Sequence, residues 1–188
     1  MNTLKIAYLS LLILFGTLSF TSCGNDDDIV IPEEPEVITS LTYTLTSTSG
    51  NTAVLSFQDL DGDGGNAPIL TAQDLSANTT YTAALTLSNE STTPTEDITT
   101  EIEEEKEEHQ FFISSDVPGL SVTYNDTDAN GQPVGLSTTL TTGDAGTGTL
   151  RIILRHEPNK SAEGVANGDV SNAGGETDIE VVFDVVVI

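Results

Sequence analysis

The chain has 188 residues, of which 30 are acidic and only five are basic, so its formal net charge at pH 7 is −25. A field of this sign repels phosphate backbones and anionic lipid headgroups, which excludes nucleic acid and anionic membrane surfaces as partners, and it attracts cations. The single cysteine excludes an intramolecular disulfide, so the fold must be stabilised by packing.

The first 22 residues have the organisation of an export signal. Lys5 supplies a positive start, residues 6–15 are apolar, and small residues precede position 23. This apolar run is shorter than the roughly 20 residues that a membrane-spanning helix needs, which favours a removable signal peptide. The alternative, an ordinary signal peptide with a chance cysteine, is disfavoured because a lone cysteine is a poor choice in an exported domain.

The sequence FTSC at residues 20–23 resembles the lipobox of bacterial lipoproteins, with Phe20 in place of the usual leucine. The acidic run at 26–28 resembles the export tag of surface-exposed lipoproteins of the Bacteroidota. Both resemblances are limited to this N-terminal segment. They imply that Cys23 is acylated and that the protein attaches to the membrane, its partner, through this lipid anchor. The implied location is the outer membrane, on its cell-surface or its periplasmic face.

Residues 23–37 are predicted to form an acidic tether behind the lipidated cysteine. Pro32 and Pro35 favour an extended chain, and the 14 residues from 24 to 37 span at most about 45 Å. We therefore expect three parts: a signal peptide at 1–22, the tether, and a single domain at 38–188.

From residue 38 onward, apolar side chains recur at every second position. This period predicts half-buried strands, and the threonines between the apolar residues suit faces exposed to water. The predicted strands lie at 41–46, 53–57, 69–72, 81–87, 110–113, 120–124, 136–140, 150–155 and 179–187. The last strand has the clearest alternation and is expected to be central in its sheet.

One segment interrupts the strand pattern. The sequence TPTE at 93–96 has a proline at a first helical position and the form of a capping box. Ile98 and Ile102 are spaced i, i+4, which predicts a helix over 94–107 that packs through these two side chains. The acidic run 103–108 places like charges four residues apart, and each such pair destabilises a helix by about 0.2–0.5 kcal/mol. Packing or a cation must therefore stabilise this helix.

Eight or nine short strands with one short acidic helix predict an all-β fold, an antiparallel, immunoglobulin-like β-sandwich. The helices needed for parallel crossovers are missing from the pattern. This excludes an α/β fold and with it a full periplasmic solute-binding fold. The order in which the strands pair does not follow from the pattern.

Two loops, at 59–64 and 126–131, share the pattern D-x-D-x-[DN]-G. Alternating oxygen ligands before a glycine are the way in which a calcium loop surrounds its ion. Neither loop is an EF-hand, because Leu70 and Ser137 stand where a bidentate glutamate is required. For each loop alone, ordinary turn chemistry is the favoured alternative. The candidate Ca²⁺ ligands are Asp59, Asp61, Asp63, Asp126, Asp128 and Asn130.

A weaker candidate metal site involves the two histidines. His109 follows the acidic run, and His156 precedes Glu157. Two imidazoles with carboxylates could hold Zn²⁺ or another transition-metal ion, provided that the fold brings them together. Ordinary surface His–Glu pairs are the favoured alternative.

The long loop between the last two strands has charged residues of opposite sign at its two ends. Arg155 and Lys160 lie at one end, and Glu176 and Asp178 lie at the other. This arrangement predicts an ion-pair network that holds the loop against the last strand. The functional alternative is a lip that recognises an anionic ligand.

The sequence contains no nucleophile elbow, phosphate-binding glycine loop or HExxH motif, so we do not expect an enzyme. The anchor, the tether and the acidic loops indicate a lipid-anchored binding module of the cell envelope. Such a module captures a small ligand, either a solute or a cation, or assists an outer-membrane transporter in uptake. The alternative function is a structural or adhesion domain in which Ca²⁺ only stiffens loops.

Overall fold

The computed structural model describes residues 36–62 and 64–188. The predicted signal peptide, the predicted lipidation site Cys23, the predicted tether up to residue 35 and Asp63 lie outside the described residues. The β-strands are β1 (Ser40–Ser47), β2 (Thr52–Gln58), β3 (Ile69–Ala72), β4 (Thr80–Ser88), β5 (His109–Ser115), β6 (Ser121–Tyr124), β7 (Ser137–Thr141), β8 (Gly146–His156) and β9 (Glu176–Val187). Helix α1 is Ile98–Glu104, and two 3₁₀ turns, Val165–Asn167 and Val170–Asn172, lie between β8 and β9.

The strands form two antiparallel sheets, ordered β3-β2-β1-β4-β7-β6 and β5-β8-β9. The orders β1-β4-β7-β6 and β5-β8-β9 reproduce the ABED and CFG sheets of a constant-type immunoglobulin domain. The hairpin β2–β3 extends the first sheet beyond β1. The prediction of an antiparallel, immunoglobulin-like sandwich is therefore confirmed.

The core lies between the two sheets, where alternate residues of each strand face inward. Burial of a large aliphatic or aromatic side chain stabilises the fold by about 1.5–3 kcal/mol relative to exposure. The Tyr43 hydroxyl stays satisfied inside the core, 2.7 Å from the Thr138 hydroxyl. The largest side chains of the core are Leu41, Tyr43, Leu45, Leu55, Leu85, Phe111, Leu140, Leu150, Ile152, Leu154 and Phe183.

Strand β9 does not lie where the sequence pattern placed it. It is the edge strand of the three-stranded sheet and pairs with β8, which is the central strand. Only its C-terminal end also bonds to another segment, through a parallel bridge between Val187 and Leu75. The expectation of a central last strand is wrong because clean alternation is typical of a strand with one exposed face. Strand β8 instead has a continuous buried run, Ile152–Leu154.

A second, smaller cluster covers the outer face of β5 and β8. Phe112 and Ile153 point away from the main core and pack against Val165 and Ala173 of the long loop 157–175. The side-chain amide of Gln110 also donates to the Val165 carbonyl, at 2.8 Å. Both faces of these two strands are therefore shielded from water near the loop.

Helix α1 is shorter than the predicted range 94–107. Glu96 exchanges backbone hydrogen bonds with Asn89, so the predicted capping box does not form. The N-cap is Asp97, whose side chain accepts from Thr100 N at 3.3 Å. The helix ends at Glu104, before Glu107 and Glu108 could add like-charge pairs within it. The predicted packing through Ile98 and Ile102 is confirmed, since both side chains are buried.

The directions of the strands place all long connections at one end of the sandwich, which we call the loop end. It comprises the chain entering at Glu36 and the segments 59–68, 89–108, 125–136 and 157–175. The opposite end has short turns, for example at 48–51. Long loops on a rigid scaffold are the usual place for binding residues. Within the described part of the chain, no helix is long and apolar enough to cross a membrane.

Candidate metal centre

The two histidines meet at the loop end. His109 is the first residue of β5, His156 is the last residue of β8, and they are direct partners in the antiparallel ladder. Each lies two residues from an inward-facing core residue, Phe111 or Leu154, so both imidazoles point into the sandwich. The ring centroids are 4.7 Å apart and the ring planes are inclined at 74°. The fold thus brings together two residues that are 47 positions apart in sequence.

A β-bulge in β9 adds a carboxylate to this pair. Thr177 pairs with Arg155 and Ile179 pairs with Leu154, so Asp178 is the extra residue of the bulge. Regular alternation would turn this side chain outward, because Ile179 faces the core. The bulge turns Asp178 inward as well, and its side chain is completely buried.

The turn before this bulge depends on a glycine. Gly175 has φ +68°, and a Cβ atom there would lie only 2.1 Å from the His156 carbonyl oxygen. No side chain can be accommodated at that distance from backbone, so glycine is required where the chain passes His156 to enter β9.

The donor atoms of the three side chains are grouped closely. His109 Nε2 lies 3.9 Å from Asp178 Oδ2, and His156 Nδ1 lies 3.9 Å from Asp178 Oδ1. The other ring nitrogen of His109, Nδ1, lies 3.2 Å from the Glu105 carbonyl oxygen. Donation to a backbone carbonyl would fix the tautomer with the Nε2 lone pair directed toward Asp178, as is common for metal-binding histidines.

Few groups compensate the charge of Asp178. Within the described residues no side chain donates a hydrogen bond to either of its carboxylate oxygens, and the donor beside it is the backbone N–H of Glu36. The buried His156 Nδ1 also has no hydrogen-bond partner among these residues. Burial raises the pKa of Asp178 to about 6, although His156 and the Glu36 N–H oppose this rise. A buried carboxylate without a side-chain donor is rare in folded proteins and is stabilised by a proton or a cation.

The donor set fits a transition-metal ion. Zinc takes histidine nitrogen and carboxylate oxygen at about 2.0–2.2 Å in a tetrahedral arrangement, which places neighbouring donor atoms about 3.4 Å apart. The observed separations of 3.9 Å require each pair to close by about half an ångström. Two histidines with one carboxylate also suit Fe(II), whereas Ca²⁺ prefers oxygen ligands alone.

Further carboxylates surround this cluster. Donor atoms of Glu36, Glu105 and His109 lie within 4.8 Å of one another, as do those of Glu108, His156 and Glu157. Glu157, the carboxylate that the sequence suggested, is therefore near His156. It is exposed, however, whereas the fully buried carboxylate between the two imidazoles is Asp178.

The pKa of Glu36 shows how strongly acidic this surface is. Partial burial, repulsion by the carboxylates of Glu101, Glu105 and Asp178, and a side-chain hydrogen bond to Glu101 together raise that pKa to about 7. Burial also raises the pKa of Glu101, with Glu96 adding to the effect. A cation at this position would relieve the mutual repulsion of these groups.

The candidate calcium loop at 126–131 uses its carboxylates within the protein. Asp126 accepts backbone hydrogen bonds from Gly135 at 2.8 Å and Ser137 at 2.9 Å, which brace the start of β7. Asp128 Oδ1 accepts from the N–H groups of Asn130 and Gln132, both at 2.9 Å. These contacts are those of a well-formed turn, and Ca²⁺ binding here stays a prediction.

The loop at 59–64 has similar internal contacts. Asp59 accepts from the backbone N–H of Gly62 at 2.9 Å, and Asp61 accepts from the backbone and side chain of Asn66 at 3.0 and 2.7 Å. These bonds lower the pKa of the exposed Asp61. Because Asp63 is not described, Ca²⁺ binding by this loop also stays a prediction.

The predicted ion-pair network across the long loop does not form as expected. Lys160 instead pairs with Asp128, at 3.1 Å, with both side chains buried. Arg155 Nη1 donates to the Thr177 hydroxyl at 2.7 Å and to the Gly175 carbonyl at 3.3 Å. The loop is thus held by one buried ion pair and by hydrogen bonds to the start of β9.

Asp178 is the site residue that the sequence does not single out as a ligand. It precedes the clean alternation of β9 by one position, and the charge pattern predicts it to be an ion-pair partner together with Glu176. The only signal available was the pair of adjacent glycines before it, because such pairs accompany irregular strand starts.

The described part of the chain is thus an all-β, immunoglobulin-like sandwich with a buried His–His–Asp cluster at its loop end. The chain matches no protein-family model, no curated protein and no solved structure. Its function is therefore inferred from the geometry of the site and from the sequence.

Proposed function

We propose that this protein is a lipid-anchored module of the cell envelope that captures a transition-metal cation, with Zn²⁺ the best fit. The cation would be held by His109, His156 and Asp178. The observation that carries the proposal is the fully buried carboxylate of Asp178, which faces two imidazoles and receives no side-chain hydrogen bond within the described part of the chain. Such a group is stabilised by a cation more than by any other common ligand.

Burial of the site favours cation capture over catalysis. The side chains of His109 and Asp178 are 0% exposed and that of His156 is 7% exposed. A substrate could reach a metal held there only if the loop end moved, whereas a bare ion needs only a small opening. Catalytic metal sites normally keep a position open to substrate or water.

The N-terminal segment supports the proposed location. The lipobox-like sequence around Cys23 and the acidic run behind it suit an anchor at the outer membrane, on the cell-surface or periplasmic side. The net charge of −25 raises the local concentration of cations. A module of this kind would supply its ion to an outer-membrane transporter, which is the partner we propose.

The alternative function is a structural or adhesion domain in which a metal ion only stiffens the loop end. The same site would then hold its ion permanently, and the ion would be recovered with the purified protein. For capture and release, the ion must exchange within the time that an uptake step takes. The rate of loss to a chelator therefore separates the two functions.

The metal proposal is tested by thermal melts of residues 23–188 carrying Cys23→Ser, which removes the lipidation site. We expect Zn²⁺ to raise the free energy of unfolding by about 2.7 kcal/mol at one hundred times the dissociation constant. EDTA should reverse the shift, and Asp178→Asn should abolish it. If neither Zn²⁺ nor any other transition-metal ion shifts the melt, the proposed function is wrong. A shift with Ca²⁺ that is lost in Asp61→Ala or Asp128→Ala would favour the structural alternative.

The anchor is tested separately in cells. A fatty-acid probe should label the wild-type protein and should not label Cys23→Ser. A wild-type protein that is released without label would contradict the proposed location, even if it binds metal. Labelling of intact cells with a membrane-impermeant reagent would then determine which face of the outer membrane the domain occupies.

A further inference from the structure

We propose, on the basis of the proposed function, that Glu36 closes the metal centre as a further ligand. The bound cation would thereby fix the end of the tether to the sandwich. The three ligands named above come from strands β5, β8 and β9, whereas Glu36 belongs to the segment that leads from the membrane anchor into β1. The inference therefore links occupancy of the site to the connection between domain and envelope.

The position of Glu36 supports this role. Its carboxylate lies in the group with Glu105 and His109 whose donor atoms are within 4.8 Å of one another. Its backbone N–H also lies close enough to Asp178 to stabilise that carboxylate. Main chain and side chain of the same residue thus lie beside two of the three ligands.

Coordination chemistry leaves room for such a ligand. Two histidines and one aspartate give three donors, and zinc completes a closed site with four. Glu105 is the other carboxylate within reach, but it is held at the end of α1 by a hydrogen bond from its N–H to the Glu101 carbonyl, at 2.9 Å. Glu36 lies on chain outside any helix or strand and can move toward the ion more freely.

Electrostatics favour the same residue. The carboxylates of Glu101, Glu105 and Asp178 all act on Glu36 with the same sign, and Glu36 and Glu101 also share a side-chain hydrogen bond, which requires a proton on one of them. Without a cation, this proton is what limits the repulsion among these groups. A divalent ion between Glu36 and Asp178 would reverse the sign of the interaction.

The segment that metal would fix has a defined boundary. Thr39 is held by a hydrogen bond from its N–H to the Ser88 carbonyl at 3.1 Å, and its own carbonyl accepts from Asp59 N at 2.8 Å. Ile38 also packs against the core, so only residues 36 and 37 precede the anchored chain. Their release would lengthen the tether by about 7 Å at 3.3–3.6 Å per residue.

The test combines zinc affinity with hydrogen exchange on the chain 23–188 carrying Cys23→Ser. Zinc affinity is measured by competition with a chromophoric chelator for wild type, Glu36→Gln and the matched control Glu104→Gln. Glu104 is an exposed carboxylate of α1 that belongs to none of the donor groups. We expect at least a tenfold loss of affinity in Glu36→Gln and less than a twofold change in the control.

Hydrogen exchange supplies a second readout, independent of the measured zinc affinity. Zinc should slow exchange of the amides of residues 37 and 38 in the wild-type chain, and should not slow it in Glu36→Gln. Equal zinc affinity of Glu36→Gln and wild type, or exchange that zinc leaves unchanged, would overturn this inference alone. Failure of the wild-type chain to bind zinc would overturn the proposed function together with it.

Discussion

Two buried aspartates at the loop end have opposite surroundings. Asp128 accepts two backbone hydrogen bonds and a third from Lys160, and these hold its pKa below the ordinary value although burial acts to raise it. Asp178 receives no side-chain hydrogen bond from the described residues, and burial raises its pKa to about 6 although the Glu36 backbone N–H lies beside it. The two aspartates are buried to a similar extent, but the hydrogen bonds and the cation that stabilise the Asp128 carboxylate have no counterpart at Asp178.

The groups around each aspartate determine whether an added cation would stabilise it. The ammonium of Lys160 also donates to the carbonyls of Lys106 and Pro133. Because Asp128 and Lys160 are both satisfied, an added cation would not stabilise this pair further. At Asp178 the neighbouring groups are imidazoles and further carboxylates, which a cation would complete. Acid-rich loops are common in this chain, but a buried carboxylate without a side-chain donor is the informative observation.

The largest change in stability is expected at Asp128, the aspartate whose carboxylate is fully hydrogen-bonded. Lys160→Met leaves Asp128 buried without its cation, and removal of one partner of a buried ion pair typically destabilises by about 3–5 kcal/mol. Urea denaturation should show this loss. The double variant Lys160→Met with Asp128→Asn should recover part of it, because no uncompensated charge remains. A loss below about 1 kcal/mol in the single variant would show that the pair is effectively exposed.

The opposite sign is expected at the unsatisfied aspartate. Asp178→Asn removes a buried charge and should raise the free energy of unfolding of the metal-free protein by about 1–3 kcal/mol at pH 8. The same variant should bind zinc at least one hundred times more weakly. Destabilisation by Asp178→Asn in metal-free buffer would mean that the carboxylate has a compensating partner and that the comparison is mistaken.

Asp178 and Asp128 should also differ in how their contributions to stability change with pH. An acid whose pKa is higher in the folded state stabilises the fold in its protonated form. The contribution of Asp178 is therefore complete below about pH 4 and is lost as the pH rises through about 6. Glu36 acts in the same direction up to about pH 7. Asp128, with its lowered pKa, acts oppositely and loses its contribution as the solution becomes acidic. Melting temperatures of metal-free wild type should fall between pH 4 and pH 7 more steeply than those of Asp178→Asn.

The sequence predicted the strands well because apolar residues recur at every second position of a half-buried strand, and this period can be recognised in a single sequence. It did not predict strand order, which depends on pairing between distant segments. It misplaced β9 because clean alternation reports one exposed face and does not identify the pairing partners. It overextended α1 because Asp97 is a stronger cap than the TPTE segment before it.

The site was only half accessible from sequence. His109 and His156 were visible as the two histidines of the chain, but their direct pairing follows from the β5–β8 register. Asp178 depends on a bulge that inverts the direction of one side chain, and a local irregularity of this kind has no periodic signature. The acid-rich loops dominated the sequence pattern, yet their described carboxylates bind their own backbone.

Anomalous diffraction at the zinc edge, from crystals of the zinc-loaded chain 23–188 carrying Cys23→Ser, would locate the proposed metal centre. We expect one strong peak within about 2.2 Å of His109 Nε2, His156 Nδ1 and an oxygen of Asp178. A peak confined to the loops at 59–64 or 126–131, or no ordered zinc at all, would contradict the proposed metal centre.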